Sequence, residues 1–267
     1  MSVSSSTVKS VSRKIFKENF INAVVATTIL VMTWLVCYYL FAVVYTVTEM
    51  AFSSAIYYFS LVFILFPLLL GLIRYYWRMS SGVADNPAAV FYYFSSGHLY
   101  LKAFKLIFMV LLRTLCCYAV MYLPVLVLNL ITGSWLYKTL NLSMPIWAVN
   151  FSNVIYILHF LSLVGTLLFM LKYYMAPMLF VADENMEPAE AMHLSVVVSK
   201  RSSLDFVFLC FGFLVCILLS FLMLPLIFTL PYMLISYLLH CSYAVADFNE
   251  EISNISLDEI PTFIAGG

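Results

Sequence analysis

Charge is what this sequence has least of. Of its 267 residues, 10% are Asp, Glu, Lys or Arg, against about 25% in an ordinary soluble domain. With 64% apolar residues and a mean hydropathy of +1.03, nothing is left over for a sizeable water-soluble domain. The net charge of zero excludes the basic footprint of a nucleic-acid binder. Catalytic signatures are also missing: there is no H-E-x-x-H, no G-x-S-x-G and no phosphate-binding loop. That absence weighs against an enzyme, and no cofactor or metal is expected. The six cysteines (Cys37, Cys116, Cys117, Cys210, Cys216 and Cys241) contain no C-x-x-C pair and no His at metal spacing. They read as small polarizable packing residues, with thiol chemistry left open at the vicinal Cys116-Cys117. G-x-x-x-G is absent too, although Ser162, Gly165 and Thr166 form a small-residue patch suited to close helix packing.

What the chain does have is long hydrophobic runs. Six can be placed, at about 20–47, 56–76, 106–131, 151–175, 204–224 and 226–246. A hydrocarbon core of about 30 Å needs roughly 20 helical residues, so each is long enough to span. The last two are separated at Pro225, because one helix from 204 to 246 would overshoot the bilayer. The run beginning at Phe20 is too long for the hydrophobic part of a signal peptide and lacks a small-x-small cleavage site, so it reads as an uncleaved first span. The organisation expected is a basic segment 1–19, a transmembrane domain 20–246 and an acidic tail 247–267. The fold class is all-α: a polytopic membrane bundle of six helices.

Lys and Arg then orient the chain. Lys9, Arg13, Lys14 and Lys17 precede the first run; Arg74, Arg78, Lys102 and Lys105 flank the connection between the second and third runs; Lys172, Lys200 and Arg201 flank that between the fourth and fifth. These eleven lie on one side, whereas the opposite loops carry only Lys138. The positive-inside rule places both termini in the cytoplasm. Trp135, Tyr137 and Trp147 read as interfacial anchors on the outer side.

The two large cytoplasmic loops echo each other. Arg74-Tyr75-Tyr76 matches Lys172-Tyr173-Tyr174, and Val83-Ala84-Asp85 matches Val181-Ala182-Asp183. Pro87-Ala88 then matches Pro188-Ala189, and Pro124 matches Pro225. The pattern suggests an internal repeat of span, loop and span. Each copy is expected to hold a short interfacial helix after its proline, because Pro suits a first helical turn. Asp183, Glu184, Glu187 and Glu190 sit at the start of the second such helix and Lys200 and Arg201 near its end, as the helix dipole favours.

These loops resemble a family of bacterial six-span integral membrane proteins of unknown function, common in Firmicutes. The residues that carry the likeness are Arg74, Arg78, Ser81-Gly82 and Ala89 to Phe94, then Tyr174-Met175-Ala176-Pro177, Asp183, Glu190-Ala191, Ser195 and Lys200, and last Tyr243 to Glu251. More distantly, the Glu190-Ala191 to Ser195 block is similar to the membrane portion attached to some glycerophosphodiester phosphodiesterases. The resemblance implies a topology and a bacterial inner membrane, and no activity.

Few polar residues remain as functional candidates. Arg113 lies well inside the third run, where a charge costs from about 2.5 to more than 10 kcal/mol. It either snorkels to the inner headgroups or donates to an anion or lipid phosphate, with Arg74, Arg78, Lys102 and Lys105 as further contacts. His159 and His240 are intramembrane polar candidates, each expected to be neutral and bonded to a neighbouring carbonyl or hydroxyl. Asp183, Glu187, Glu190, Lys200 and Arg201 are candidate docking residues. Asp183, Glu184, Glu187, Glu190 and His193 could collect a divalent cation, although solvated helix-start charges are the commoner arrangement. The leading expectation is a non-enzymatic scaffold or accessory protein whose partners are membrane lipids and other membrane proteins. The alternative is a transporter or channel with a path near Arg113 and His159, and a lipid-modifying enzyme is a third possibility.

Overall fold

The computed structural model describes residues 5–47, 50–83, 85–132, 146–216 and 224–254. Every regular element among them is helical. In chain order these are α1 (Ser5–Glu18), α2 (Phe20–Val47), α3 (Met50–Ser60), a π-helical turn (Leu61–Leu65), α4 (Phe66–Ser80), a 3-10 helix (Pro87–Phe94), α5 (Gly97–Thr132), α6 (Ile146–Met170), α7 (Ala176–Ala182), α8 (Pro188–Phe211) and α9 (Leu224–Asn254). Four stretches are long and apolar enough to cross a membrane: Phe20–Thr46, Ser54–Ser80, Gly97–Ile131 and Pro225–Glu250. They coincide with the first, second, third and sixth hydrophobic runs. The fourth run contains a shorter apolar helix, Val154–Met170. Of the fifth, residues 217–223 lie outside the described residues, as do Trp135, Tyr137, Lys138 and the tail beyond Asn254; the side chain of Trp147 does too.

The chain divides into two compact units, Met1–Ile107 with Met175–Gly267, and Phe108–Tyr174. In the first, α2 turns Ala23, Ala26 and Thr27 inward. These small side chains let α4 approach, and the buried Tyr76 hydroxyl donates to the Ala23 carbonyl at 2.8 Å beside the Thr27 hydroxyl. Ile235 and Leu238 of α9 are fully buried, where that helix packs on α1, α2, α4 and α8.

The wide turn Leu61–Leu65 precedes Pro67. Proline has no N–H and its ring crowds the carbonyl four residues back, so the Phe63 carbonyl loses its helical donor. The Tyr100 hydroxyl supplies one at 3.0 Å.

Three elements differ from the sequence expectation. The basic segment before the first span is a docked helix: Val8 of α1 is buried with Leu209 and Phe213, against Tyr232, Met233, Leu239 and Tyr243 of α9. Lys9 lies over the Phe213 ring, 5.0 Å from its centroid. The first short loop helix is of 3-10 type. The helix that Pro188 opens is not short but runs on to Phe211, since the stretch through Lys200-Arg201-Ser202-Ser203-Leu204 contains no Gly or Pro to end it.

Candidate functional site

Arg74, Arg78, Lys102 and Lys105 pair with Asp85, Glu184 and Glu187 within the first unit. Arg74 and Arg78, one helical turn apart, occupy the last two turns of α4. The helix closes with Gly82 at a φ of +78°. Its N–H donates to the Met79 carbonyl at 3.2 Å, and that of Val83 donates to the Arg78 carbonyl at 2.9 Å. This is a glycine-dependent helix stop. It brings Asp85 back to Arg78, with Oδ2 2.7 Å from Nε. Asn86 then caps the 3-10 helix, its side chain accepting from the Ala88 N–H at 3.0 Å.

The 3-10 helix lies directly on α4 because of Gly71. A Cβ at that position would stand 1.9 Å from the Val90 carbonyl oxygen, so any other residue would force the two backbones apart. The close approach sets Tyr92 over Arg74, whose guanidinium carbon is 3.5 Å from the ring centroid. Tyr93 is buried and stacks on Phe180 of α7 at 5.9 Å. Burial pushes the Tyr93 phenol well above its ordinary range; nearby Arg74 pulls it back, while Tyr92 and Glu184 push it further up.

The second loop supplies the acids. Asp183 follows α7 and its carboxylate accepts from the Asn185 N–H at 2.9 Å, a turn that points Glu184 back at α4. Glu184 Oε1 meets Arg74 Nη2 at 2.5 Å. The Arg74 side chain is only 7% exposed, whereas that of Glu184 is 58% exposed. A buried guanidinium thus has a flat aromatic face on one side and a hydrated carboxylate on the other, an arrangement suited to its planar, weakly hydrated charge. Lys102 of α5 donates to the Glu184 and Asn185 carbonyls at 3.4 and 3.2 Å. Its ammonium, like that of Lys105, stands 3.7 Å from the Glu187 carboxylate.

Two groups of candidates that the sequence treated separately are therefore one network. Arg74, Lys102 and Lys105 come from the first loop, and Glu184 and Glu187 from the second. Asp183 is part of its turn, while Glu190, His193, Lys200 and Arg201 are exposed along α8. Among the described residues, no three His, Cys, Asp or Glu side chains gather closely enough to hold a metal ion.

His240 of α9 is buried beside Phe206, at 5.9 Å between ring centroids, and hydrogen-bonds the backbone of Ser202. In the second unit Arg113 is exposed. Its Nη1 donates to the Tyr173 hydroxyl at 3.4 Å, beside that ring. His159 packs edge-on against Tyr122 at 5.6 Å, and its backbone carbonyl accepts from Ser162 at 2.7 Å. Ser162 and Thr166 are buried, and the Met121 side chain fills the notch at Gly165.

Gly71, Asn86 and docked α1 are not among the residues that sequence reasoning singled out, and Tyr92 was named there only as part of an aromatic segment. A lone glycine inside an apolar helix is a signal for close backbone approach, and Val8, Ser12 and Ile15 recur at helical spacing in the basic segment. No protein-family model, curated protein or solved structure matches the chain.

Proposed function

We propose that this chain is a non-enzymatic integral membrane protein, a scaffold or accessory that contacts lipids and other membrane proteins through its cytoplasmic loops. One observation carries the reading: the four cations that flank the first loop are spent on acids of the two loops. Arg74, Lys102 and Lys105 face Glu184 or Glu187, and Arg78 faces Asp85, so the loops form a braced platform instead of a cationic lining for a solute path. Exposed Glu190, Lys200 and Arg201 of α8 are the contact residues. In this reading the protein sits in a bacterial inner membrane, has six spans and both termini in the cytoplasm, and its two loop units descend from one repeat, in keeping with the family it resembles.

Passage of an anionic solute past Arg113 and His159 is less well supported, since Arg113 turns outward to Tyr173. The test is reconstitution into proteoliposomes, alongside native mass spectrometry of the purified chain. The scaffold reading expects retained phospholipid, fewer copies of it when Lys200 and Arg201 are changed to Gln, and no anion uptake above empty vesicles. Uptake above that background overturns it. The span count has its own test at α9, because basic α1 lies along Tyr232 to Tyr243. Six spans require cysteines introduced on that stretch to resist water-soluble thiol reagents.

A further inference from the structure

α1 and α2 are joined through a single turn residue, Asn19. The Asn19 N–H donates to the Ile15 carbonyl at 3.1 Å and the Ala23 N–H to that of Asn19 at 3.0 Å. The Phe16 and Phe20 rings meet at 5.3 Å across the junction. Helical register is therefore carried from the basic segment into the first span. At about 100° per residue, Val8, Ser12, Ala23 and Ala26 share the buried face. Lys14, Lys17, Ile21, Val25, Thr28 and Met32 share the opposite one.

That outer stripe changes character along its length. At its lower end Lys14 and Lys17 are exposed and make no ion pair among the described residues. Glu18 is their one acidic neighbour on α1, whose other cations are Lys9 and Arg13. About 12 Å further along the axis, a groove of about 410 Å³ opens between α2 and the 3-10 helix, lined by Val25, Thr28, Ile29, Met32, Thr33 and Phe91. The hydroxyls of Thr28 and Thr33 donate to the Val24 and Ile29 carbonyls at 2.8 and 2.9 Å. With those donors satisfied, the threonines offer methyl groups and the groove is an apolar trough on a membrane-crossing helix.

We infer that this stripe binds one anionic phospholipid, its phosphate at Lys14 and Lys17 and an acyl chain laid in the groove against Phe91. A cationic end and an apolar trough, about a headgroup's reach apart on one face, match the polarity of a phospholipid from end to end. The inference rests on the lipid-contact reading above and assigns it a site outside the loops.

The full chain, reconstituted in nanodiscs of mixed phosphatidylglycerol and phosphatidylethanolamine and then examined by native mass spectrometry, tests it. Lys14→Gln with Lys17→Gln removes two exposed charges and is expected to cut retained phosphatidylglycerol roughly tenfold, at an unchanged melting temperature. Val25→Trp, which fills the groove from an exposed position, is expected to lower retention as well. Retention that responds to neither change, or to only one, overturns the inference. If Lys200→Gln with Arg201→Gln lowers retention in that case, the loop reading stands without the groove. A wild-type chain that retains no phospholipid overturns both.

Discussion

Arg74 and Lys172 hold corresponding places in two stretches of similar sequence, yet their surroundings are opposite. Arg74 is nearly buried between Tyr92 and Glu184; Lys172 is exposed in the turn after α6, its ammonium 5.3 Å from the centroid of the Phe169 ring at the end of that helix. The prolines diverge in the same way. Pro87 opens eight residues of 3-10 helix, and Pro188 opens an α-helix of 24. The first stretch has Gly71 opposite it, which lets its backbone press onto α4 and so trap the cation beneath. The second has no such notch and extends. Similar motifs thus take complementary parts in the pairs between them: the first supplies Arg74, and the second supplies Glu184. What separates them is a single missing Cβ and the absence of a break after Lys200.

The largest way to break this contrast is Gly71→Ala. With the new methyl inside the Val90 carbonyl, the 3-10 helix must lift. We expect a loss of about 3 kcal/mol or more, read as a collapse of the melting temperature in detergent. Arg74→Leu comes next. Glu184 can rehydrate from its exposed position, so the loss is that of the aromatic and ionic contacts, about 2 kcal/mol. Arg74→Lys should recover less than half of it, because an ammonium cannot lie flat on Tyr92.

Tyr93 gives a smaller, pH-dependent effect. Burial raises its phenol above the ordinary value, so folding favours the protonated form. The stabilisation is complete below about pH 10 and is lost as pH rises beyond it. Unfolding of the wild type should therefore steepen above pH 10 more than that of Tyr93→Phe. Smallest of all is Glu187→Gln. Its pairs with Lys102 and Lys105 are 3.7 Å long, and its side chain is more than half exposed. We expect less than about 1 kcal/mol, vanishing in 1 M salt.

Four of the six hydrophobic runs correspond to helices of spanning length and composition because an apolar run of that length has few other structures available to it. The helix start at Pro188 was legible from proline's missing donor, and the closing turn at Gly82 from its residue type. Arg74 with Glu184 was not: their separation of 110 residues leaves no local trace, and a cation at a helix end reads as solvated until Tyr92 is laid over it. Docked α1 was half legible. Its apolar spacing is there, but its four cations mark it first as a basic segment ahead of the first span. The extension of α8 through Phe211 was hidden by the expectation that charge ends a span, whereas Lys200 and Arg201 sit on a helix that simply continues past them.

The docking of α1 on α9 has a consequence in time. Tyr232 donates to the Lys9 carbonyl across 223 residues of sequence, so the surface that buries Val8 is synthesised long after α1 itself. At ribosomal speeds of about 5–20 residues per second, α1 waits some tens of seconds with its apolar face uncovered. During that interval its first companion is whatever the nascent chain meets, and the membrane surface beside its own span is nearest. Closure by α9 is then a late, long-range step that fastens α1 to a helix more than two hundred residues further along.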